Sequence, residues 1–156
     1  MQLIVIYETL KKHLCSQYSI DVESHDALRL TLRVNCRAII LAYLHETIRL
    51  YRREHGTFIG ISCREAIIHM LYEDAGLRIS DLNQIPLSLA LKILNPRLSR
   101  IDTSVDRNFY NMAQEMTQWS EGDRESLSLS HEADLELPEL QWSDLPGELF
   151  SLSSGK

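Results

Sequence analysis

Residues 38–55 read AIILAYLHETIRLYRREH, and this stretch decides the fold class. Its large apolar side chains recur every three or four residues, which is the spacing of one helix face. Arg52, Arg53 and His55 occupy the last turn, and Gly56 follows them. Cations near a helix C-terminus and a glycine just beyond it are common stop signals. We therefore predict a helix that ends near His55.

The residues just before this stretch are ambiguous. Residues 28–37 alternate Leu, Val or Cys with polar side chains, which is the period of a strand. Leucine and arginine favour helices, however, and only Thr31 and Val34 are β-branched. We favour a helix over 28–37, with a strand as the alternative.

Two further helices have clear sequence signals. Segment 3–18 places apolar residues at helical spacing between charged ones. Ser62 and Glu65 form a capping box, in which the serine hydroxyl accepts from an early backbone N–H and the glutamate reaches back to the cap. This second helix should run to about Ala75 and stop at Gly76.

Three shorter elements complete the predicted helical body. Ser80-Asp81 caps a short helical piece, and Pro86 opens a Leu-rich helix that should end before Asn95-Pro96. Ser104 caps the last helix, whose apolar stripe suits a core or a homodimer seam. The members of this stripe are Val105, Phe109, Met112, Ala113, Met116 and Trp119.

The charge of the chain is unevenly distributed. Residues 1–119 hold 14 Lys or Arg and 13 Asp or Glu, a net charge of +1, whereas residues 120–156 hold two and nine, a net charge of −7. The second stretch interleaves acids and serines with leucines and aromatic residues, a composition typical of disorder. We predict a mainly α fold, with a compact domain of about five helices over 1–119 and a disordered acidic tail over 120–156.

The tail contains one candidate contact element. Residues 135–150 read LELPELQWSDLPGELF. Such a segment is soluble alone but can bury large side chains once a groove is offered, and tryptophan is a frequent anchor. We predict that it binds a groove on a protein partner or folds back to mask a groove of its own chain. The predicted partner-binding residues are Leu137, Leu140, Trp142, Leu145 and Phe150.

The residue patterns predict no catalytic, cofactor-binding or metal-binding residue. Cys15, Cys36 and Cys63 are widely spaced and odd in number, which fits a reducing compartment better than a disulfide framework. The sequence has no CxxC or HxxxH pair of the kind that structural zinc sites use. A nuclease that uses Arg49 and His55 is the less favoured alternative, because a basic last turn already suits a helix end.

The N-terminus lacks the basic residues of a signal peptide. The longest apolar run, 38–44, is too short to span a bilayer. We therefore expect a cytoplasmic protein that does not enter a membrane.

Arginines form a row if residues 28–37 are helical. Spacings of four residues would put three of them on one face, and three more follow two or three turns later. Such a row could contact phosphates, the acidic tail or a partner, and a merely solvated face is the alternative. The predicted basic face consists of Arg29, Arg33, Arg37, Arg49, Arg52 and Arg53.

Residues 76–116 read GLRISDLNQIPLSLALKILNPRLSRIDTSVDRNFYNMAQEM. A short capped helix, a Leu-rich helix and a connection ending in Ser-Val-Asp precede another helix. This stretch resembles the helical core of FlhD-type transcriptional regulators and of similar small regulators on bacterial mobile elements. The resemblance implies an all-helical oligomer that acts in transcription control with a DNA-binding partner subunit.

These observations favour a non-enzymatic regulatory or adaptor protein that acts through protein–protein contacts, with any nucleic-acid contact indirect. A direct DNA-binding regulator with a helix-turn-helix-like unit at 62–95 is one alternative. Against it, the reading helix of such a unit, at 86–95, offers only Ser88, Lys92 and Asn95 as polar side chains, and major-groove readers usually present Arg, Asn or Gln near the helix start. A second alternative is an acidic inhibitor that mimics nucleic acid.

Overall fold

The computed structural model describes residues 2–20, 27–55, 62–82, 84–118 and 139–150. These residues form six α-helices and a short 3-10 turn, with no strand among them, so the predicted mainly α class is confirmed. The helices are α1 (Leu3–Gln17), α2 (Ala27–His55), α3 (Cys63–Ala75), α4 (Ile79–Leu82), α5 (Leu87–Leu98) and α6 (Arg107–Gln118), and the 3-10 turn is Trp142–Asp144.

The chain divides into two compact units. The first combines residues 1–42 with 102–140, and the second combines residues 43–101 with 141–156. The boundary that the sequence predicts at residue 119 lies outside the described ranges.

Helix α2 settles the ambiguity at 28–37. It is continuous from Ala27 to His55, so the helical alternative is correct and the strand is excluded. Its basic last turn of Arg52, Arg53 and His55 ends the helix where the sequence predicts.

The first unit packs α1 against α6. The Tyr7 and Phe109 rings meet edge to face, with centroids 6.4 Å apart, and burial raises the pKa of Tyr7 to about 12. The buried apolar side chains of this unit are Leu3, Ile6, Tyr7, Leu10, Leu14, Val34, Ala38, Leu41, Ala42, Phe109, Ala113 and Leu140.

Asp106, and not Ser104, caps α6. Its Oδ1 accepts a 3.1 Å hydrogen bond from the backbone N–H of Phe109, and its Oδ2 accepts one of 3.2 Å from the backbone N–H of Ile4 in α1. One carboxylate therefore satisfies donors at the N-termini of two helices. The prediction for Ser104 was wrong because its hydroxyl instead bonds Asp102, at 2.6 Å.

The apolar stripe predicted for α6 is shorter than expected. Phe109 and Ala113 are buried in the first unit and Met112 is half-buried, but Val105 precedes the helix and is 89% exposed. The side chain of Met116, and the whole of Trp119, lie outside the described residues. Since Phe109 and Ala113 are buried within their own unit, these two side chains are not available to a homodimer seam.

The second unit is built around α3, which packs against α4 and α5. The predicted capping box is present, because Ser62 Oγ accepts from the Glu65 N–H at 3.1 Å and Glu65 Oε2 accepts from the Ser62 N–H at 3.0 Å. Gly76 ends α3 in the left-handed conformation, with φ of 65°. Both helix ends thus follow the prediction, since both depend on residues close in sequence.

Helix α5 continues through Asn95-Pro96 to Leu98, so its predicted end was wrong. A proline removes one backbone donor, which costs less in the last turn than in the helix interior. The Ser99 N–H bonds the Asn95 carbonyl at 2.9 Å and closes that turn around the proline.

Arg97 ties α5 to the end of α3. Its guanidinium makes a bidentate contact with Asp74, at 2.7 and 2.9 Å, and a 2.6 Å contact with Glu73. Tyr51 of α2 donates a 3.0 Å hydrogen bond to the same Glu73 carboxylate. Burial, with this hydrogen bond, raises the pKa of Tyr51 to about 12. The cluster joins the C-terminal ends of three helices.

Candidate partner-docking site

Residues 141–150, which we call the C-terminal segment, pack against a surface of the second unit that we call the α3 groove. The groove combines the first turns of α3 with the side chain of His45 on α2 and the backbone carbonyl of Ile85 before α5. The capping box fixes where α3 begins and therefore which side chains face the segment. Those side chains are Cys63, Arg64 and Ile67.

Trp142 is held in the groove by two directional contacts. Its indole Nε1 donates a 2.9 Å hydrogen bond to the carbonyl oxygen of Ile85. The guanidinium carbon of Arg64 lies 5.1 Å from the centroid of the ring, within cation–π range. Because Pro86 is the N-cap of α5, the Ile85 carbonyl precedes the helical hydrogen-bond ladder and can accept from an external donor. This part of the groove therefore contacts both the ring face and the N–H donor of the indole.

Phe150 anchors the other end of the segment. It is 2% exposed, and its ring meets the His45 ring edge to face with centroids 5.4 Å apart. Burial lowers the pKa of His45, while the neighbouring Glu46 and a hydrogen bond with the Leu149 backbone oppose that effect. Among the described residues the His45 Nδ1 is buried and makes no hydrogen bond. His45 is therefore suited to contact the segment as a neutral ring.

The C-terminal segment forms two successive turns. Asp144 is fully buried, and its Oδ2 accepts a 2.8 Å hydrogen bond from the Gln141 N–H, which closes the first turn. The carbonyl of Pro146 accepts from the N–H groups of Leu149 and Phe150, at 3.1 and 2.9 Å, which closes the second. These local bonds fix the spacing between the two aromatic anchors.

A cavity of about 100 Å³ remains between the segment and the groove. Cys63 and Ile67 line it from α3, and Trp142, Leu145 and Phe150 line it from the segment. The cavity is partly open to solvent, so the segment leaves part of the apolar surface of the groove uncovered.

Cys63 lies beside Arg52, whose Nη1 is 3.8 Å from the thiol sulfur. Burial raises the pKa of Cys63, and the Arg52 guanidinium only partly counters this. Cys15, Cys36 and Cys63 form no disulfide bond with one another. Within the ranges that the structure describes, no three His, Cys, Asp or Glu side chains are grouped so that they could hold a metal ion.

The structure brings together three of the five predicted partner-binding residues. Trp142, Leu145 and Phe150 all line the interface with the α3 groove. Leu140 is buried and belongs to the first unit, and Leu137 lies outside the described residues. Residues 141–150 lie within the predicted tail and fold back onto a groove of their own chain, which is one of the two alternatives that the sequence left open. The remainder of the predicted tail, apart from Glu139 and Leu140, lies outside the described residues.

The predicted basic face is not one exposed surface. Arg33 is 8% exposed and Arg37 is 1% exposed, because both share a helical stripe with the buried Leu41 and Leu44. The side chain of Arg29 lies outside the described residues.

The C-terminal part of α2 carries the arginines of that row that do reach the surface. Arg53 is exposed and Arg52 is half-buried. Arg49 pairs with Glu46 at 2.6 Å and remains half-exposed. Among the α2 arginines whose side chains the structure describes, those at the surface therefore lie in the last two turns of the helix.

The helix-turn-helix alternative loses one of its polar side chains. Ser88 on α5 is 9% exposed, whereas Lys92 and Asn95 are exposed. Leu89, at 46% exposure, lies three residues before Lys92 on the same helix. A helix that exposes a leucine and only two of these three polar side chains is poorly suited to reading base edges in the major groove.

The residues that form the α3 groove were not predicted as binding residues from the sequence. His45, Arg64 and the Ile85 carbonyl come from three separate elements, and only tertiary packing assembles them. One signal was present at Ile85, since a carbonyl just before a proline-initiated helix is left outside the helical ladder.

No helix in the described part of the chain is both long enough and apolar enough to cross a membrane. Comparison of the chain with protein-family models, with curated proteins and with solved structures finds no match in any of the three.

Proposed function

We propose that this chain is a non-enzymatic regulatory or adaptor protein that acts through protein–protein contacts, with the α3 groove as its docking surface. The observation that carries the proposal is the seating of Trp142, which combines a hydrogen bond to Ile85 with a cation–π contact to Arg64. Tryptophan and arginine are the residues most enriched at energetically dominant positions of protein interfaces. In the resting chain, the C-terminal segment occupies this surface and masks it.

The mask is suited to reversible opening. Trp142 and Leu145 are only half-buried, and a cavity of about 100 Å³ remains beside them. A tethered segment has an effective concentration on the order of 1 mM, so a segment whose free affinity is about 0.1 mM would be docked roughly 90% of the time. A partner of higher affinity then displaces the segment from the part of the second unit that residues 43–101 form.

The cellular setting is part of the proposal. The resemblance of residues 76–116 to FlhD-type regulators supports a role in transcription control through a protein partner. The three cysteines, which form no disulfide with one another, support a reducing compartment such as the cytoplasm.

Affinity capture with the full-length protein tests the proposal. Wild type, W142A and the double variant W142A/R64A serve as baits in extract of the source cells. W142A should enrich a defined partner over wild type, because its groove is open, and the additional loss of Arg64 should reduce that enrichment. Identical captured sets for all three baits would contradict the proposal, and circular dichroism of each bait checks that the variants remain folded.

A further inference from the structure

The C-terminal segment shows what kind of ligand the α3 groove accepts. The segment presents Trp142 and Phe150, eight residues apart, and each meets a dedicated contact: the Ile85 carbonyl with Arg64 for the first, and His45 for the second. A ligand with the same chemistry needs an indole at one end and an aromatic ring at the other.

The spacing between these anchors depends on residues within the ligand. Asp144 closes the first turn through the Gln141 N–H, and Pro146 opens the second. A peptide that keeps the order Trp-x-Asp-x-Pro-x-x-x-Phe would therefore form the same two turns and place both rings in the groove. The conformational entropy that it loses on binding would be mainly that of forming the two turns.

Charge adds a second requirement. The described part of the segment carries acidic residues and no basic one, whereas Arg64 lies over the Trp142 ring and Arg52 lies beside Cys63. Two cations at the groove favour the approach of an acidic peptide and disfavour a basic one.

The segment does not fill the surface that it covers. The cavity of about 100 Å³ is bordered by Leu145 on the segment and by Cys63 and Ile67 on α3. A larger apolar side chain at the position of Leu145 would occupy part of this space and gain contacts that the native leucine lacks.

We infer that the α3 groove is a receptor for an acidic peptide of a separate partner protein, with the pattern Trp-x-Asp-Φ-Pro-x-x-x-Phe, where Φ is an apolar residue larger than leucine. Residues 141–150 occupy the groove in place of this peptide. They are less complementary to the groove than the peptide, because Leu145 leaves part of the cavity unfilled. The inference rests on the proposed masking function and adds the chemistry of the ligand.

Fluorescence polarisation with two labelled peptides tests the inference on full-length chains. One peptide carries residues 139–152 of this sequence, and the second differs only by L145F. W142A/F150A supplies an open groove, with W142A as a second version that keeps the buried phenylalanine. We expect the L145F peptide to bind the open groove at least threefold more tightly than the native peptide, and to bind wild type at least tenfold more weakly than it binds W142A. Adding R64A to W142A should weaken both peptides at least threefold.

The outcomes separate this inference from the proposed function. Binding of the native peptide with no gain from L145F would overturn the inferred pattern and leave the masking proposal intact. Absence of binding by both peptides to both open chains would overturn the two together. Concentration-dependent dimers of wild type that disappear in W142A, measured by sedimentation, would assign the groove to a second copy of the chain and overturn the separate partner.

Discussion

The indole Nε1 of Trp142 donates a 2.9 Å hydrogen bond to the backbone carbonyl of Ile85, 57 residues earlier in the chain. This bond connects the C-terminal segment to the turn that precedes α5. It also explains why a tryptophan, and not simply an apolar residue, occupies this position of the segment.

Trp142→Phe should loosen the segment moderately, because it keeps an aromatic ring and loses the donor. Loss of this hydrogen bond should lower the free energy of opening the segment by about 1 kcal/mol, which makes the exchange of its protected amide protons roughly fivefold faster. The Phe150 amide, bonded to the Pro146 carbonyl, reports this in hydrogen–deuterium exchange. Trp142→Ala should accelerate exchange further. Tyr72→Phe on the exposed surface of α3 is the matched control, and an equal effect of that change would refute the assignment.

Asp106→Ala should lower the free energy of unfolding by about 2 kcal/mol, since two helix N-termini each lose a charge-assisted hydrogen bond. Urea denaturation measures the change. Ser104→Ala is the control, with an expected loss under about 0.5 kcal/mol, because the Ser104 hydroxyl donates its hydrogen bond to the exposed Asp102 carboxylate. Equal losses for the two variants would show that Asp106 does not bridge α1 and α6 as described.

His45 should make docking sensitive to pH. Its pKa in the folded chain is lowered from 6.5 by burial, so the open or unfolded state binds a proton more readily than the docked state. The stabilisation is fully present above about pH 6.5 and is lost as the pH falls from there toward the lowered folded pKa. The pKa of the adjacent Glu46 is also lowered, from 4.5, so that carboxylate titrates below this window.

Urea denaturation at pH 7.5 and pH 5.5 measures the effect of His45. We expect wild type to lose stability at the lower pH and His45→Gln to lose less. His69→Gln, on the exposed surface of α3, should behave like wild type. An unchanged pH dependence in His45→Gln would remove His45 as its cause.

Arg97→Lys should destabilise the second unit by about 1 kcal/mol, because a lysine cannot reproduce the bidentate contact with Asp74 while also reaching Glu73. The figure is modest since the Arg97 side chain is 25% exposed and solvent screens the pair. Arg49→Lys is the matched comparison: its pair with Glu46 is half-exposed and local, and its replacement should cost about 0.3 kcal/mol. A larger loss for Arg49→Lys than for Arg97→Lys, by thermal denaturation, would contradict the ranking.

Features with short-range causes were the ones that the sequence predicted. The Ser62–Glu65 capping box and the Gly76 stop depend on residues within one or two turns. The prediction failed where two residues close in sequence, Ser104 and Asp106, both suit an N-cap. Asp106 also accepts a hydrogen bond from the Ile4 N–H on α1, and such a tertiary contact cannot be predicted from local sequence. The predicted end of α5 before Asn95-Pro96 was wrong for a related reason. The energetic cost of Pro96 depends on its place in the last turn of α5, which local sequence does not give.

The candidate site was predicted on one side only. Trp142, Leu145 and Phe150 are recognisable as anchors because large apolar residues in an acidic segment need a surface to cover them. The receiving residues His45 and Arg64 lie on ordinary amphipathic helices, where nothing in their spacing distinguishes them from solvated positions. The buried Arg33 and Arg37 show the same limit, since periodicity identifies a row of residues and not which side of the helix is covered.

The most direct test of the masking of the α3 groove is the indole resonance of Trp142 in the full-length protein. W119F leaves Trp142 as the single tryptophan, so one indole signal appears in a ¹H–¹⁵N spectrum. We predict a dispersed, slowly exchanging indole proton with nuclear Overhauser contacts from the ring to the methyl groups of Ile67, which shares its cavity. A random-coil indole shift with no contact to Ile67 would contradict docking of the segment.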